Sequence, residues 1–333
     1  MQDINPDFIG VSVRSPVFPM YLALYGAIRQ HLPECKIIIG GAHPTGDPEG
    51  CKPYADYVVV GDGEWAMTYI LEGGKYYGSG SLPFTDLDIL PFQYYGGDTY
   101  ALAKPKPPER MSVYTTRGCS YSCSYCQESI LKRKPVRKSV RYFKEEVDYY
   151  RTVFPGLTTL TITDPSFIYD LEWLEEFMFE FKGSGLNFWC AGHAQVVTSE
   201  MLELAKAAGV KSIRIGVQSG SKYIRETIFN RKETLEQVLD VAHKIKDVGI
   251  TGQYDFIIDN PFDTPESLSD TRHFIKRLPQ TSMINKFELR YWPGTEITAK
   301  ALKLGYIMPD DVEGNFIRLG NWVYLYRLIM GEK

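Results

Sequence analysis

Short apolar runs alternate along this chain with longer segments in which apolar residues recur at helical spacing. Near the start, the apolar runs predict strands at residues 8–13, 36–41 and 57–61. Helical periodicity fills residues 18–32 and returns after the third run, through Leu71. Apolar strands that alternate with helices are typical of a parallel sheet, so the pattern predicts an α/β domain.

The same alternation resumes after a segment rich in glycine and proline, residues 76–110, which is typical of a linker. Beyond it, six apolar runs predict strands, with helical patterns between them. The predicted strands are residues 112–115, 159–162, 187–190, 212–217, 253–258 and 284–289. About six βα units suggest a partial TIM-like barrel, whose functional loops lie at the carboxyl ends of the strands.

These patterns divide the chain into an α/β domain at 1–75, the linker, the partial barrel at 111–310 and a C-terminal tail at 311–333. A net charge of -4 argues against a nucleic-acid partner. No apolar run approaches the roughly 18 residues that span a membrane, so no membrane association is expected. Six cysteines without a secretory signal favour metal binding over disulfides, and therefore a cytoplasmic location.

Three of those cysteines, Cys119, Cys123 and Cys126, follow the first predicted barrel strand with C-x3-C-x2-C spacing, and Tyr125 precedes the last of them. Three thiolates in one loop can hold three corners of a 4Fe–4S cube, which usually has four cysteine ligands, so one iron stays open. A structural zinc site is the alternative, and His193 could complete it. Zinc favours paired C-x2-C units and four closed ligands, which this loop lacks.

The loop resembles that of radical S-adenosylmethionine (SAM) enzymes, whose C-x3-C-x-aromatic-C motif holds a 4Fe–4S cluster on a partial (βα)6 barrel. The resemblance covers residues 112–316. It implies that the three cysteines ligate the cluster and that the amino and carboxylate groups of SAM chelate its open iron. It further implies that an electron, supplied by a reductant such as flavodoxin or ferredoxin, cleaves SAM to a 5′-deoxyadenosyl radical.

A second segment of the barrel resembles the same family. Residues 215–221, with the sequence Ile-Gly-Val-Gln-Ser-Gly-Ser, are similar to its G-x-E-S-G-S segment. Gln218 stands where glutamate is commoner, so a neutral polar contact is implied there. The resemblance implies that Gly216, Gln218 and Ser219 bind SAM together with the backbone around Tyr125. Arg231 lies in a segment similar to the family's R-K element.

Three polar residues at the ends of predicted barrel strands are candidate catalytic or substrate-binding groups. Asp164 either caps a helix or a turn or contacts SAM or substrate. His193 is either a hydrogen-bonded structural residue or a substrate contact. Asp259 either caps the next helix or faces the site.

Residues 8–67 resemble part of the cobalamin-binding domain that precedes the barrel in one branch of this family. The loops after parallel strands form a ligand crevice, so Ser12 and Ser15 are expected to hydrogen-bond the tail of cobalamin, and Gly40 and Gly41 to let it approach. A plain turn that needs glycine is the alternative. A complete domain of this type has another βαβ unit before residue 8, so the resemblance implies a truncated Rossmann-like sheet, either because the domain is reduced or because the sequence is a fragment.

Together these features predict a radical SAM enzyme with a 4Fe–4S cluster, SAM and possible cobalamin dependence. The resemblance implies a cobalamin-dependent C-methyltransferase whose substrate is a small molecule or a peptide. Two alternatives stay open: a radical SAM enzyme without cobalamin that performs a cyclisation or rearrangement, and a non-catalytic zinc or other metal-binding module.

Overall fold

A computed structural model of the chain describes residues 5–74, 76, 84–93 and 109–312. Much of the predicted linker and nearly all of the predicted C-terminal tail lie outside these residues. Among the helices that are described, none combines the length and the apolar character that crossing a membrane requires.

The strands form two parallel sheets and one small antiparallel ladder. Their bounds are β1 Phe8–Ser12, β2 Lys36–Gly40, β3 Tyr57–Val58, β4 Arg110–Val113, β5 Thr116–Arg117, β6 Val136–Arg137, β7 Thr159–Ile162, β8 Asn187–Gly192, β9 Val210–Gln218, β10 Thr251–Ile258 and β11 Met283–Glu288. The longer helices are Phe18–His31, Glu64–Leu71, Val140–Val153, Leu171–Phe181, Ser199–Ala208, Leu235–Asp247, Pro265–Arg277 and Glu296–Lys303. The shorter ones are Ala42–Gly46, Pro48–Cys51, Glu128–Leu131 and Pro309–Val312, with 3-10 turns at Ser15–Val17 and Lys52–Tyr54 and a π-helix at Ile224–Ile228.

The first sheet contains β1, β2 and β3 in that order, all parallel. The middle of β2 is apolar because both of its faces are covered. Ile37 and Ile39 lie in one buried cluster with Phe18 of the first helix, whereas Ile38 lies in another with Ile70 of the helix Glu64–Leu71. The loops after these strands are therefore held at one edge of a packed sheet.

The second sheet contains six parallel strands whose spatial order, from β4 through β7, β8, β9 and β10 to β11, is also their order along the chain. A helix follows every strand, and the large hydrophobic core lies between the sheet and these helices. Successive βα units in chain order build the wall of a barrel. The predicted α/β fold, a parallel-sheet domain followed by a partial (βα)6 barrel, is confirmed.

Local sequence determines where the outer helices begin. Threonine side chains cap three of them, since the hydroxyls of Thr198, Thr234 and Thr264 accept a hydrogen bond from the third helical N–H. Gln237 bonds back to the amide of Thr234 and completes a capping box. These caps fix the length of each loop at the carboxyl end of the strands.

The first domain contacts the loops that follow both edge strands of the barrel sheet. After β11, the backbone of Gly294 approaches that of Gly46 so closely that a Cβ on Gly46 would lie 2.2 Å from the carbonyl oxygen of Pro293. After β4, Arg117 pairs with Asp62, which follows β3. Both contacts join loops at carboxyl ends of strands, so the carboxyl edges of the two sheets lie next to each other.

Candidate functional site

The three cysteines of the C-x3-C-x2-C motif lie in the loop between β5 and the short helix Glu128–Leu131, which we call the cysteine loop (residues 118–127). Cys119, Cys123 and Cys126 are each partly exposed and form no disulfide. The amide of Cys119 donates to the carbonyl of Arg133, and that of Cys126 donates to the carbonyl of Cys123. The motif therefore presents its thiols from one ordered loop above the barrel sheet.

The chemistry of these thiols fits a metal cluster. Burial raises the pKa of the Cys119 thiol, and it raises the pKa of Cys126 to about 11. Each thiol becomes a thiolate when a metal ion binds it and compensates its charge. Within the described residues, no group of three or more His, Cys, Asp or Glu side chains converges on one metal ion. A cube cluster needs no such convergence, because its thiolates bind different irons, so the donor set fits 4Fe–4S better than a closed zinc site.

Ser124 and Asn230 attach the middle of the cysteine loop to the barrel. The amide of Ser124 donates to Phe229, its hydroxyl donates to the carbonyl of Ile228 at 2.6 Å, and its own carbonyl accepts from the amide of Ile297. The side-chain amide of Asn230 donates to the carbonyl of Ser122 at 2.9 Å. The loop is therefore held by the segments that follow β9 and β11.

A cluster of buried charges lies beneath the loop; we call Arg225, Arg231, Glu233 and His193 the Glu233 cluster. Arg225 lies 2.8 Å from the Glu233 carboxylate, and Arg231 donates to the same oxygen. Burial disfavours a charge on Glu233, but a hydrogen bond from His193 and the two guanidinium groups outweigh it and lower its pKa to about 2. Glu233 is therefore a permanent anion that neutralises buried cations.

Arg231 links the Glu233 cluster to the residues that are predicted to contact SAM. Its guanidinium donates to the hydroxyl of Tyr125 at 2.8 Å and to the carbonyl of Gly216 at 2.7 Å. It also lies 3.8 Å from the sulfur of Cys123. One side chain thus connects the cysteine loop with the end of β9, and the R-K element predicted from sequence includes it.

His193 is part of the Glu233 cluster rather than an exposed group. Its Nε2 lies 3.4 Å from Glu233, and its ring stacks on Tyr121 of the cysteine loop, with 3.6 Å between ring centroids. Burial lowers the pKa of His193, which favours the neutral imidazole. The arrangement supports a role in holding the loop, the structural one of the two that the sequence allowed.

Asp164 anchors the backbone that leads into the cysteine loop. Its carboxylate accepts hydrogen bonds from the amides of Thr115 and Thr116, at 2.7 and 3.0 Å, and from the hydroxyl of Thr115. The predicted helix-cap role is wrong, because Asp170 caps the helix that follows. Asp164 instead fixes the chain just before the cysteine loop.

The segment after β9 turns sharply at Gln218, whose φ of 70° is unusual for a residue other than glycine. A Cβ on Gly216 would lie 2.6 Å from the side-chain nitrogen of Gln218, so glycine leaves room for that side chain. Ser219 is buried, and its hydroxyl lies 3.2 Å from that of Thr271. Gly216 and Gln218 therefore remain available for a cofactor, whereas Ser219 contacts the helix Pro265–Arg277.

Asp259 follows β10 and also has a positive φ, of 57°. The predicted helix-cap role is wrong for this residue, because Thr264 caps the helix Pro265–Arg277. Its side chain is buried, and neither carboxylate oxygen has a hydrogen-bond partner among the described residues.

The first domain forms a cavity of about 480 Å³ at the carboxyl edge of its sheet. Residues after all three strands line it, including Ser12, Gly40, Gly41 and Glu64, and Arg117 of the barrel completes the lining. A Cβ on Gly41 would lie 2.9 Å from the carbonyl of Val13, so glycine is required there by the protein itself. The cavity lies where the loops after parallel strands are expected to bind a ligand.

Ser15 is not among the residues that line this cavity. It is fully buried, and its hydroxyl lies 3.0 Å from Nδ1 of His43. Ser15 therefore supports the loop after β2, while Ser12 is the serine at the cavity.

Charged residues connect this cavity to the cysteine loop; we call Asp62, Glu64, Arg117 and Arg133 the Arg117 bridge. Arg117 lies 3.2 Å from Asp62 and 2.6 Å from Glu64, and Arg133 also contacts Asp62. Burial opposes the charge of Glu64, but the hydrogen bond from Arg117 lowers its pKa below the usual value. Arg117 precedes Cys119 by two residues, so the bridge joins the cavity directly to the motif.

Sequence reasoning missed Arg225, Glu233 and the partners of Arg117. The charged residues after β9 were visible, but nothing in their spacing indicated that Arg225 and Glu233 would be buried together. Asp62 and Glu64 lie in the part of the chain that resembles the cobalamin-binding domain, and nothing in that resemblance indicates a contact with the barrel.

Two family models match the chain. The radical SAM superfamily model matches residues 113–275, and the B12-binding domain model matches residues 1–71. An uncharacterized methyltransferase of Pyrococcus horikoshii is 24% identical over 313 residues, covering 84% of this chain and 66% of that protein. Cytidylyl-2-hydroxyethylphosphonate methyltransferase of Streptomyces wedmorensis is 22% identical over 374 residues, covering 93% of this chain and 69% of that protein. The chain thus spans about two thirds of the length of these relatives.

Solved structures share the fold. TsrM from Kitasatospora setae, solved with cobalamin and a [4Fe-4S] cluster, gives a TM-score of 0.74 at 16% identity, covering 90% of this chain and 65% of TsrM. OxsB, solved with aqua-cobalamin and S-adenosylmethionine, gives 0.73 at 16% identity, covering 93% of this chain and 55% of OxsB. At such identities the likeness establishes a common fold for the two domains and their order.

Proposed function

We propose that this chain, a radical SAM protein with an N-terminal B12-binding domain, is a cobalamin-dependent methyltransferase that acts on an unactivated carbon of its substrate. The two family models match within the predicted barrel and the predicted first domain, which supports the proposal, and a 4Fe–4S cluster and SAM are implied by the first of them. The observation that carries the methyltransferase proposal is the Arg117 bridge. It places the cavity of the first domain beside the cysteine loop, so cofactors in the two sites would share one reaction space.

The residues at the three proposed sites fit a 4Fe–4S cluster, SAM and cobalamin. Cys119, Cys123 and Cys126 would hold the cluster, and Gly216, Gln218 and the backbone near Tyr125 would hold SAM. The cavity at Ser12, Gly40 and Gly41 would hold cobalamin. When bound, these groups supply a 5′-deoxyadenosyl radical for hydrogen abstraction and a methyl group for transfer.

The chain's own part is to position these groups. Glu233 and Arg231 hold the cysteine loop against the end of β9, and Asp164 holds the chain that leads into it. The Arg117 bridge keeps the loop at a constant place relative to the first domain. If the positions of the cofactors and the substrate are fixed in this way, the radical can react selectively at one carbon of the substrate.

The partners follow from the same proposal. A radical SAM enzyme needs a reductant and a substrate, and we propose a flavodoxin or ferredoxin for the first and a small molecule or peptide for the second. The cytoplasmic location and the absence of a nucleic-acid partner stay predictions from the sequence.

A second candidate is a radical SAM reaction without cobalamin, such as a cyclisation. GTP 3',8-cyclase of Aquifex aeolicus is 25% identical over 180 residues, which cover 53% of this chain and 55% of that protein. The B12-binding match in the first domain favours the methyltransferase.

The test is anaerobic purification, cluster reconstitution and incubation with SAM, cobalamin and a chemical reductant. We expect iron and sulfide in the protein and both 5′-deoxyadenosine and S-adenosylhomocysteine among the products. Deoxyadenosine alone, with no cobalamin bound, would support the cyclase-like candidate. One zinc per chain without iron would contradict every radical mechanism.

A matched pair of cysteine variants locates the cluster. Cys123→Ala is expected to lose the brown chromophore and all reductive cleavage of SAM. Cys190→Ala, which removes a buried thiol on β8, is expected to keep both. Cleavage at the wild-type rate in Cys123→Ala would refute the ligand assignment.

A further inference from the structure

The carboxylate of Asp259 is buried at the carboxyl end of β10 without a hydrogen-bond partner. The residue is only 2% exposed, and neither Oδ1 nor Oδ2 bonds to any described residue. Burying a charged group without a partner costs several kcal/mol, on the order of the whole stability margin of a domain. An orphaned polar group in a native fold therefore needs an explanation, and an absent ligand is one.

The other buried carboxylates of the site are satisfied by the protein. Asp164 accepts three hydrogen bonds from Thr115 and Thr116, and Glu233 is paired with two arginines. Asp263, four residues after Asp259 in the same loop, accepts a hydrogen bond from Ser267 at 2.6 Å. Asp259 differs from all three because its oxygens are still available.

The backbone at Asp259 adopts the left-handed conformation, with a φ of 57°. Residues other than glycine seldom adopt this conformation, and Asp and Asn tolerate it best. It occurs here at the end of a barrel strand, the edge at which barrel enzymes bind substrates.

The charged group that raises the pKa of Asp259, in addition to burial, is acidic. Glu288, which is paired with Arg290, adds to burial in raising the pKa of Asp259 to about 6. The hydroxyl of Tyr291 is also buried without a hydrogen-bond partner, and its pKa is raised by burial and by the charges of Asp259 and Asp311. The electrostatic field at this point therefore favours a cation.

The position also belongs to the cofactor side of the barrel. Tyr291 lies in a buried cluster with Phe229 and Ile297, against which Tyr125 of the cysteine loop and Ile257 of β10 pack. Asp259 directly follows β10, so it lies at the carboxyl edge of the sheet, the same edge from which the cysteine loop extends.

We propose that Asp259 and the hydroxyl of Tyr291 bind a primary ammonium group of the substrate. This inference rests on the proposed function and names a feature of its substrate. An ammonium has three N–H donors, which match in number the two carboxylate oxygens and the one hydroxyl oxygen. Its charge compensates the buried anion, which a neutral hydroxyl or amide would not do.

The test uses the reconstituted full-length protein and two probes of equal length, n-butylammonium and n-butanol, observed by ligand NMR under anaerobic conditions. We expect binding of n-butylammonium, no measurable binding of n-butanol, and at least a tenfold loss of ammonium affinity in Asp259→Asn. Asparagine keeps the shape and tolerates a positive φ, so this variant is expected to fold. Tyr291→Phe is expected to weaken binding less, because it removes one neutral acceptor.

Asp263→Asn is the matched control, because it makes the same change four residues away at a carboxylate that already has a partner. It is expected to leave the affinity for n-butylammonium unchanged. Wild-type affinity should also fall as the pH drops through about 6, where Asp259 takes up a proton. Equal binding of n-butanol and n-butylammonium, or equal affinity in Asp259→Asn, would overturn the inference.

Two measurements separate this inference from other failures. The affinity for SAM and the rate of its cleavage without substrate are measured in Asp259→Asn beside Asp263→Asn; a loss of both in Asp259→Asn alone would show that the carboxylate serves SAM and would overturn the inference. A wild-type protein that forms 5′-deoxyadenosine and S-adenosylhomocysteine but ignores the ammonium refutes only the inference. A wild-type protein that forms neither product refutes the proposed function.

Discussion

The cysteine loop is held by two sets of charged residues that differ in burial and in what they join. The Glu233 cluster lies within the barrel, and the side chain of Glu233 is 1% exposed. The Arg117 bridge joins the barrel to the first domain, and the side chains of Asp62 and Glu64 are 11% and 39% exposed. Both sets adjoin the cysteine motif, since Arg231 lies 3.8 Å from the sulfur of Cys123 and Arg117 precedes Cys119 by two residues.

The difference in burial indicates that the two sets of charged residues have different structural roles. A buried ion network costs much to break, because removal of one partner leaves a charge without compensation. A partly exposed network contributes less to stability and is screened by salt. The Glu233 cluster is therefore suited to fixing the shape of the loop, and the Arg117 bridge to fixing where the first domain lies beside it.

The largest expected effect is that of Glu233→Gln. The change leaves Arg225 and Arg231 buried without their anion, which should cost about 3–5 kcal/mol of the free energy of unfolding. Urea unfolding of the protein before cluster reconstitution measures this loss, and the iron content afterwards should fall with it. Glu236→Gln, at an exposed pair with Arg277, is the control and should change neither quantity. A wild-type unfolding curve for Glu233→Gln would show that the cluster is not structural.

Acid should remove the same contribution in the wild type. The pKa of Glu233 is lowered in the folded protein, so its stabilising effect is present above the unfolded pKa of about 4.3 and is lost as the pH falls through its folded pKa of about 2. The difference in unfolding free energy between wild type and Glu233→Gln should therefore be constant above about pH 5 and shrink below about pH 4. Urea unfolding at several pH values measures it. A difference that grows on acidification would contradict the pairing.

The smallest expected effect on stability is that of Asp62→Asn. Since its ion pairs are partly exposed, we expect a loss of about 1 kcal/mol, with unchanged iron content. Formation of S-adenosylhomocysteine should fall by a larger factor than formation of 5′-deoxyadenosine, because the first domain loses its fixed position while the cluster is intact. Product analysis by chromatography measures both. Equal loss of the two products would mean that the bridge serves the cluster and not the domain contact.

High salt should affect the Arg117 bridge more than the Glu233 cluster. At 1 M salt the Debye length falls to about 3 Å, so the product ratio of the wild type should move part of the way toward that of Asp62→Asn, because partly buried pairs are screened less than exposed ones. Glu233→Gln should keep its stability defect at any salt concentration, since water and ions do not reach the buried arginines.

Most of the fold was predictable because buried strands appear in the sequence as short runs of apolar residues. The strands at 159–162 and 253–258 were predicted to within two residues of β7 and β10. The ladder of β5 and β6 was missed, because Thr116–Arg117 and Val136–Arg137 are too short and too polar to show alternation. Its pairing depends on the cysteine loop between the two strands.

Site residues could be predicted where a short motif indicates their role. They could not be predicted where the role depends on contacts between residues far apart in the sequence. The C-x3-C-x2-C motif identified the cluster ligands as a hypothesis that the geometry supports. The helix-cap roles of Asp164 and Asp259 were wrong, because each carboxylate is used elsewhere or left open by residues far along the chain. Ser15 was assigned to the crevice, but its bond to His43, 28 residues later, places it inside the domain.

The contact between Gly46 and Gly294 sets a limit on how this protein can evolve. A contact made by two main chains without side chains has no part that a point mutation could shorten, so the spacing between the domains has no smaller setting. A mutation at either glycine would push the domains apart and not closer. Evolution could therefore widen the space between the domains at this contact by adding a side chain, whereas it could narrow that space only elsewhere in the interface.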